Sequence, residues 1–260
     1  MKKKNIIPNL IGAISGGVIG FYGAKTFVDE SGNKEMALSC LIVLVVSYFL
    51  HIIIHESGHL LFGLFSGYQF VSFRVGSLIF YKSKGQYKFG KYKLAGTGGQ
   101  CLMSPPEFKD GMIPYRLYNM GGAIMNLLFS IPTMLIWVTA KPDGLGKIIC
   151  ILWTMVGLFS AAANGIPMSI GPVDNDGKNA INLGKNRKAL RAFGLQLKVN
   201  KMQMEGYLLS EMPEEWFELP EMEDMENPMI AVLGALHCNR LMEEKHFEEV
   251  SYKIGELLQG

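Results

Sequence analysis

From Ala37 to Ile54 the chain carries no Asp, Glu, Lys or Arg, and the apolar character continues to Leu60-Leu61-Phe62. A helix needs about 20 such residues to cross the hydrocarbon of a bilayer, so residues 36–66 read as a membrane span. Inside that run lies His55-Glu56-Ser57-Gly58-His59. Ionisable groups are costly at such depth; where they occur they face a protein interior and mark a function. Charged residues make up 18% of the chain, below the ~25% of a soluble domain. The net charge of +2 argues against a nucleic-acid partner. Cys40, Cys101, Cys150 and Cys238 are scattered without a CxxC pair and read as free thiols.

Three further stretches have the length and apolarity of spans: 1–27, 116–140 and 146–166. Gly12, Gly16 and Gly20 in the first would let a neighbouring helix approach closely. Between the second and third spans, residues 69–100 alternate polar and apolar residues around Gly85 and read as a β-hairpin with a basic, polar face that includes Arg74. After Gly177 the chain becomes polar. Residues 178–204 hold seven Lys/Arg and read as a basic helix, 211–226 as an acidic linker, and 227–258 as a helical hairpin. The expected fold is an all-α polytopic membrane protein of about four transmembrane helices with a short cytoplasmic β-hairpin and a helical cytoplasmic tail. Its expected parts are an extra N-terminal span and loop over 1–35, a core over 36–180 and the tail over 181–260. Lys2–Lys4, the hairpin and the tail are rich in Lys/Arg, whereas the connections at 28–35 and 141–145 are not. Four spans place all three basic regions on the cytoplasmic side, with the N-terminus and the C-terminal tail cytoplasmic in a multi-pass cell-membrane protein.

His55-Glu56-x-x-His59 is a HExxH pattern. Residues four apart share a helix face, so both imidazoles can hold one Zn²⁺. Zinc lowers the pKa of a water in its coordination shell toward ~7, and Glu56, beside the first ligand, can take a proton from that water as it attacks a carbonyl. A catalytic zinc needs a third protein ligand and one open position. His237 and His246 lie far away in the tail, whereas Asp174 and Asp176 follow the fourth span. Gly177 would let the backbone turn tightly beside the metal, which favours Asp176. His51, one turn before His55, reads as a ligand, a donor to a ligand or a packed polar residue.

With these residues in view, the chain resembles the site-2 protease family of intramembrane metalloproteases over roughly residues 36–180. That family pairs HExxH in one span with Asp-Gly in a later one. The resemblance implies Asp176 as the third metal ligand and Glu56 as the catalytic residue. An Asn-x-x-Pro is matched by Asn164 and Pro167, and a Gly-x-x-x-Asn by Gly122 and Asn126. Asn126 and Asn164 are thereby implied in substrate or oxyanion contact, with an interhelical hydrogen bond as the other reading of each. Asp176 stands nine positions after Pro167, farther than in the commonest form of the pattern, so Asp174 stays open as the ligand.

The resemblance implies hydrolysis of a transmembrane or signal-peptide-like substrate near the cytoplasmic face, with the lipid bilayer as surroundings and the helical tail available to a cytoplasmic partner. A catalytically silent scaffold and a metal or solute transporter are the alternatives. The intact His, Glu, His and Asp set argues against the first, and the absence of matching repeats against the second.

Overall fold

The computed structural model describes residues 34–94, 97–170 and 173–259. Three long apolar helices dominate: α1 (Lys34–Phe65), α2 (Arg116–Ala140) and α3 (Gly144–Gly165). Each is long and apolar enough to cross a membrane. They occupy the second, third and fourth expected spans; the expected first span, over 1–27, lies outside the described residues.

The burial pattern of these helices is inverted relative to a soluble protein. On α1, Leu41, Ile42, Val45, Phe49 and Ile53 are exposed, while Ser47, His51, His55, Glu56 and His59 are buried. On α2 and α3 the exposed residues include Leu128, Leu135 and Ile149, and the buried ones Asn119, Asn126, Ser130 and Thr154. Hydrocarbon solvates Leu and Ile but offers no hydrogen bond, so this is the arrangement a bilayer selects. The helices also share a small apolar core, in which Cys40 packs with Ile148 and Leu152.

The chain divides into two compact units. The first comprises the described residues up to Phe62 together with Arg116–Ala180; the second comprises Gly63–Tyr115 and the described part of Ile181–Gly260. In the second unit the expected hairpin is a four-stranded antiparallel sheet. Its strands β1 (Gln69–Val75), β2 (Leu78–Ser83), β3 (Gln86–Lys91) and β4 (Gly99–Ser104) lie in the order β3-β2-β1-β4. The turns at Gly76 and Gly85 both have positive φ. β4 returns to pair along the free side of β1, with Phe73 opposite Cys101. Val71 and Met103 point into the core, while Tyr87 and Phe89 are exposed, Tyr87 stacked on Phe80 and Phe89 tilted against it.

Arg74 corrects the expectation of a uniformly basic surface on these strands. It is 1% exposed, and its guanidinium donates to the carbonyls of Gly76 (2.6 Å) and Gly99 (3.2 Å) and to the Thr97 hydroxyl. A planar fork of donors suits three acceptors that lie to one side. It ties the β1–β2 turn to the start of β4.

The rest of the second unit is helical. It follows a short β5–β6 pair (Ser169–Ile170, Val173–Asp174) and most of α4 (Asp176–Asn182), which belong to the first unit. α5 (Arg187–Glu205) begins at Asn186, whose side chain accepts from the Ala189 amide, and ends at Gly206, with φ +94°. It packs on β2 and β4. The expected basic helix over 178–204 is thus two helices. The acidic segment after it forms short 3₁₀ turns, and α6 (Pro228–Glu243) and α7 (Phe247–Gln259) supply the expected C-terminal helix pair.

Replacing Arg74 by Met should strand these acceptors and destabilise the second unit by about 3 kcal/mol. Arg74→Lys, which keeps the charge but loses the fork, should recover part of this. Denaturant unfolding of the detergent-solubilised chain measures both.

Candidate metal centre

Three groups converge in the first unit. His55 and His59 project from one face of α1, their rings edge-on with centroids 4.8 Å apart. Their Nε2 atoms are 3.1 Å apart. Asp176 Oδ2 lies 3.1 Å from His55 Nε2 and 3.3 Å from His59 Nε2. An ion coordinated tetrahedrally at about 2.0–2.1 Å spaces its ligand atoms about 3.3 Å apart. The observed triangle therefore already has the dimensions of three corners of a zinc tetrahedron. Two nitrogens and one oxygen also suit zinc chemically, and leave a fourth position open. Among the described residues this is the one group of three His, Cys, Asp or Glu able to hold a metal ion.

Helix contacts set the imidazoles in place. His59 Nδ1 donates to the Tyr118 carbonyl at 2.7 Å. Such a bond leaves Nε2 with a free lone pair toward the centre. A Cβ on Gly122 would strike the His55 ring, so glycine there makes room for the imidazole. α1 and α2 meet backbone to backbone: a Cβ on Gly58 would collide with the Gly121 carbonyl, and one on Gly121 with that of Gly58. Glu56 is buried on α1 beside His55.

Asp176 opens α4, and the residue before it positions that helix. The Asn175 side-chain oxygen accepts from the backbone amides of Met168 and Lys178, both at 3.0 Å. Its side-chain nitrogen donates to the carbonyls of Ala163 (2.8 Å) and Ile166 (2.6 Å). One amide therefore caps α4 and fastens it to the end of α3. The sequence reading overlooked Asn175, although an Asn three residues before a helical amide is the signature of such a cap. Gly177 lies within α4, and a Cβ on it would strike the Gly165 carbonyl. Its smallness permits close approach to α3, not the tight turn expected from sequence.

Asp174, the other acid left open by the sequence, is engaged elsewhere. Its Oδ1 accepts from Ser169 Oγ at 2.7 Å and pairs with Lys178 Nζ at 2.8 Å. His51 lies outside the triangle and contacts Asn126 and Trp153. Asn126 lies between His51 and His55. Asn164 donates to the Ser160 carbonyl of its own helix. His237, in the second unit, bonds the Phe217 carbonyl.

No protein-family model matches the chain, and no curated protein or solved structure matches it either. The geometry of the cluster carries the functional reading.

Asp176→Ala should weaken zinc binding by more than ~100-fold, beyond what losing an outer hydrogen-bond partner typically costs. Asp174→Ala should leave the affinity within about tenfold, since it removes only a half-exposed ion pair. Competition with a chromophoric chelator on the solubilised chain reads both.

Proposed function

We propose that this chain is an intramembrane zinc metalloprotease of the site-2 protease type, cleaving transmembrane or signal-peptide-like substrates near the cytoplasmic face. One observation carries the reading: metal-ligating atoms of His55, His59 and Asp176, from segments more than a hundred residues apart, lie within 4.8 Å of one another. They do so among helices whose outer surfaces are apolar. The protease core is residues 36–180, with the segment before it and the tail after it as additions.

His55, His59 and Asp176 would hold the zinc, which would supply a Lewis acid able to polarise a scissile carbonyl and to make water more acidic. Glu56 takes the proton of the attacking water and passes it to the leaving amine. Asp176 contributes a negative charge that the two neutral histidines lack. Asn126 and Asn164 are the residues that the resemblance assigns to substrate or oxyanion contact. A helical substrate has to unwind locally, because helical hydrogen bonding encloses its carbonyls.

The N-terminus and tail are cytoplasmic. Between Glu56 and Glu107 the chain has no acidic residue while carrying Arg74, Lys82, Lys84, Lys88, Lys91 and Lys93, the bias expected of cytoplasmic segments. The tail after α4 is free to meet a cytoplasmic partner.

Glu56→Gln should lower cleavage of a tagged membrane peptide in reconstituted vesicles by about 10²–10⁴-fold while zinc stays bound. A chelator should abolish cleavage by the unsubstituted chain. Proteolysis that survives both treatments refutes the proposal, and zinc binding without cleavage of any membrane peptide favours a scaffold or transporter.

A further inference from the structure

His55 and His59 are oriented by different means. A backbone carbonyl can only accept, so the Tyr118 carbonyl alone requires a hydrogen on His59 Nδ1. His55 Nδ1 instead faces the side-chain amide of Asn126, at 3.2 Å. An amide has a donor end and an acceptor end of nearly the same shape, so it cannot by itself decide which ring nitrogen carries the hydrogen.

The other end of that amide is 3.2 Å from His51 Nδ1, and His51 Nε2 is 3.1 Å from the Trp153 carbonyl of α3. Asn126 is 0% exposed and His51 1%, so neither side chain can exchange these partners for water. Glycines make space for the assembly. A Cβ on Gly157 would strike the His51 ring and Ser130 Oγ. Gly157 is also four residues after Trp153, the helical position whose missing side chain bares the second lone pair of the Trp153 carbonyl.

Counting hydrogens sets the direction. The Trp153 carbonyl requires a hydrogen on His51 Nε2. A neutral His51 is then a bare acceptor at Nδ1 and takes a hydrogen from the amide nitrogen of Asn126. The amide oxygen thereby faces His55 Nδ1, which must carry a hydrogen, and His55 Nε2 keeps its lone pair toward His59 and Asp176. With the oxygen toward His51, as Oδ1 is placed here, His51 would need hydrogens on both nitrogens and a charge in the membrane. His55 would be bare at Nδ1 and would carry its hydrogen on Nε2, where it blocks a metal. The two arrangements differ by a half-turn of the amide.

We propose that His51 and Asn126 are positioning residues that set the tautomer of His55. The Trp153 carbonyl accepts from His51 Nε2–H, His51 Nδ1 accepts from Asn126 Nδ2–H, and Asn126 Oδ1 accepts from His55 Nδ1–H. The inference rests on the metal-centre reading and gives Asn126 a task other than substrate contact. All three side chains stay neutral, so the line carries orientation and moves no charge.

The test uses the full chain in detergent, with zinc affinity read by chelator competition and the d–d bands of bound cobalt as a spectroscopic signature. Asn126→Leu and His51→Leu should each weaken zinc binding about 10–100-fold, as loss of an outer partner does. The double variant should be no weaker than Asn126→Leu, because His51 acts through Asn126. His51→Gln offers one donor to Trp153 and one acceptor to Asn126; it should recover most of the affinity and the original cobalt bands. Unchanged zinc affinity in both Leu variants overturns the proposal, as does an additive double variant or His51→Gln no better than His51→Leu. Histidine nitrogen-15 spectra of the zinc-loaded, unsubstituted chain give a test that does not depend on any variant folding. They should show His51 hydrogenated at Nε2 alone and His55 at Nδ1, and a doubly hydrogenated His51 overturns the assignment. If the unsubstituted chain binds neither zinc nor cobalt, the metal-centre reading itself fails and this assignment falls with it.

Discussion

Hydrocarbon offers no hydrogen-bond partner, so a polar side chain on a membrane helix has to find one within the protein, on its own helix or on a neighbouring one. On α1 that demand falls along one stripe: Ser47, His51, His55 and His59 recur at four-residue intervals and are all buried. The neighbouring helices answer it at the three histidines. α2 brings the Tyr118 carbonyl to His59 and the Asn126 amide to His51 and His55, and α3 brings the Trp153 carbonyl to His51. Small residues at the crossings allow this, because a carbonyl reaches an imidazole on another helix only where side chains do not hold the backbones apart.

The same demand explains how a candidate centre can form from distant segments. His55 and His59 come as a pair because the helical repeat aligns them. The third group has no such local guarantee. It depends on the turn after α3, on Asn175 fastening α4 to the α3 end, and on the absence of a side chain at Gly177. The acid is thus delivered by a braced connection, not by a span.

The long helices were legible because apolar runs of span length have few other readings, and α2 occupies the expected 116–140. The histidine pair was legible for the same local reason. β4 was not, because Gly98-Gly99-Gln100 resembles a loop and its pairing with β1 is a long-range event. Arg74 was misjudged because alternation predicts a side chain's face but not whether carbonyls will surround it. That Asp176 and not Asp174 stands beside the histidines was not legible, because Lys178 and Ser169 engage Asp174 through space. The favoured acid rested on Gly177, which matters here for its contact with Gly165 and not for backbone freedom.

Gly58 occupies one of the two positions that HExxH leaves unspecified. In this chain that position is where α1 and α2 touch, against the Gly121 carbonyl. The motif is consequently a spacing device as well as a set of ligands. A variant with a larger residue at 58 would retain every chemical group that a pattern search asks for and still lose the distance at which Tyr118 and Asn126 hold those groups. A homologue lacking glycine there would therefore need a compensating change on α2, opposite position 58, before its intact histidines could be held at the same spacing.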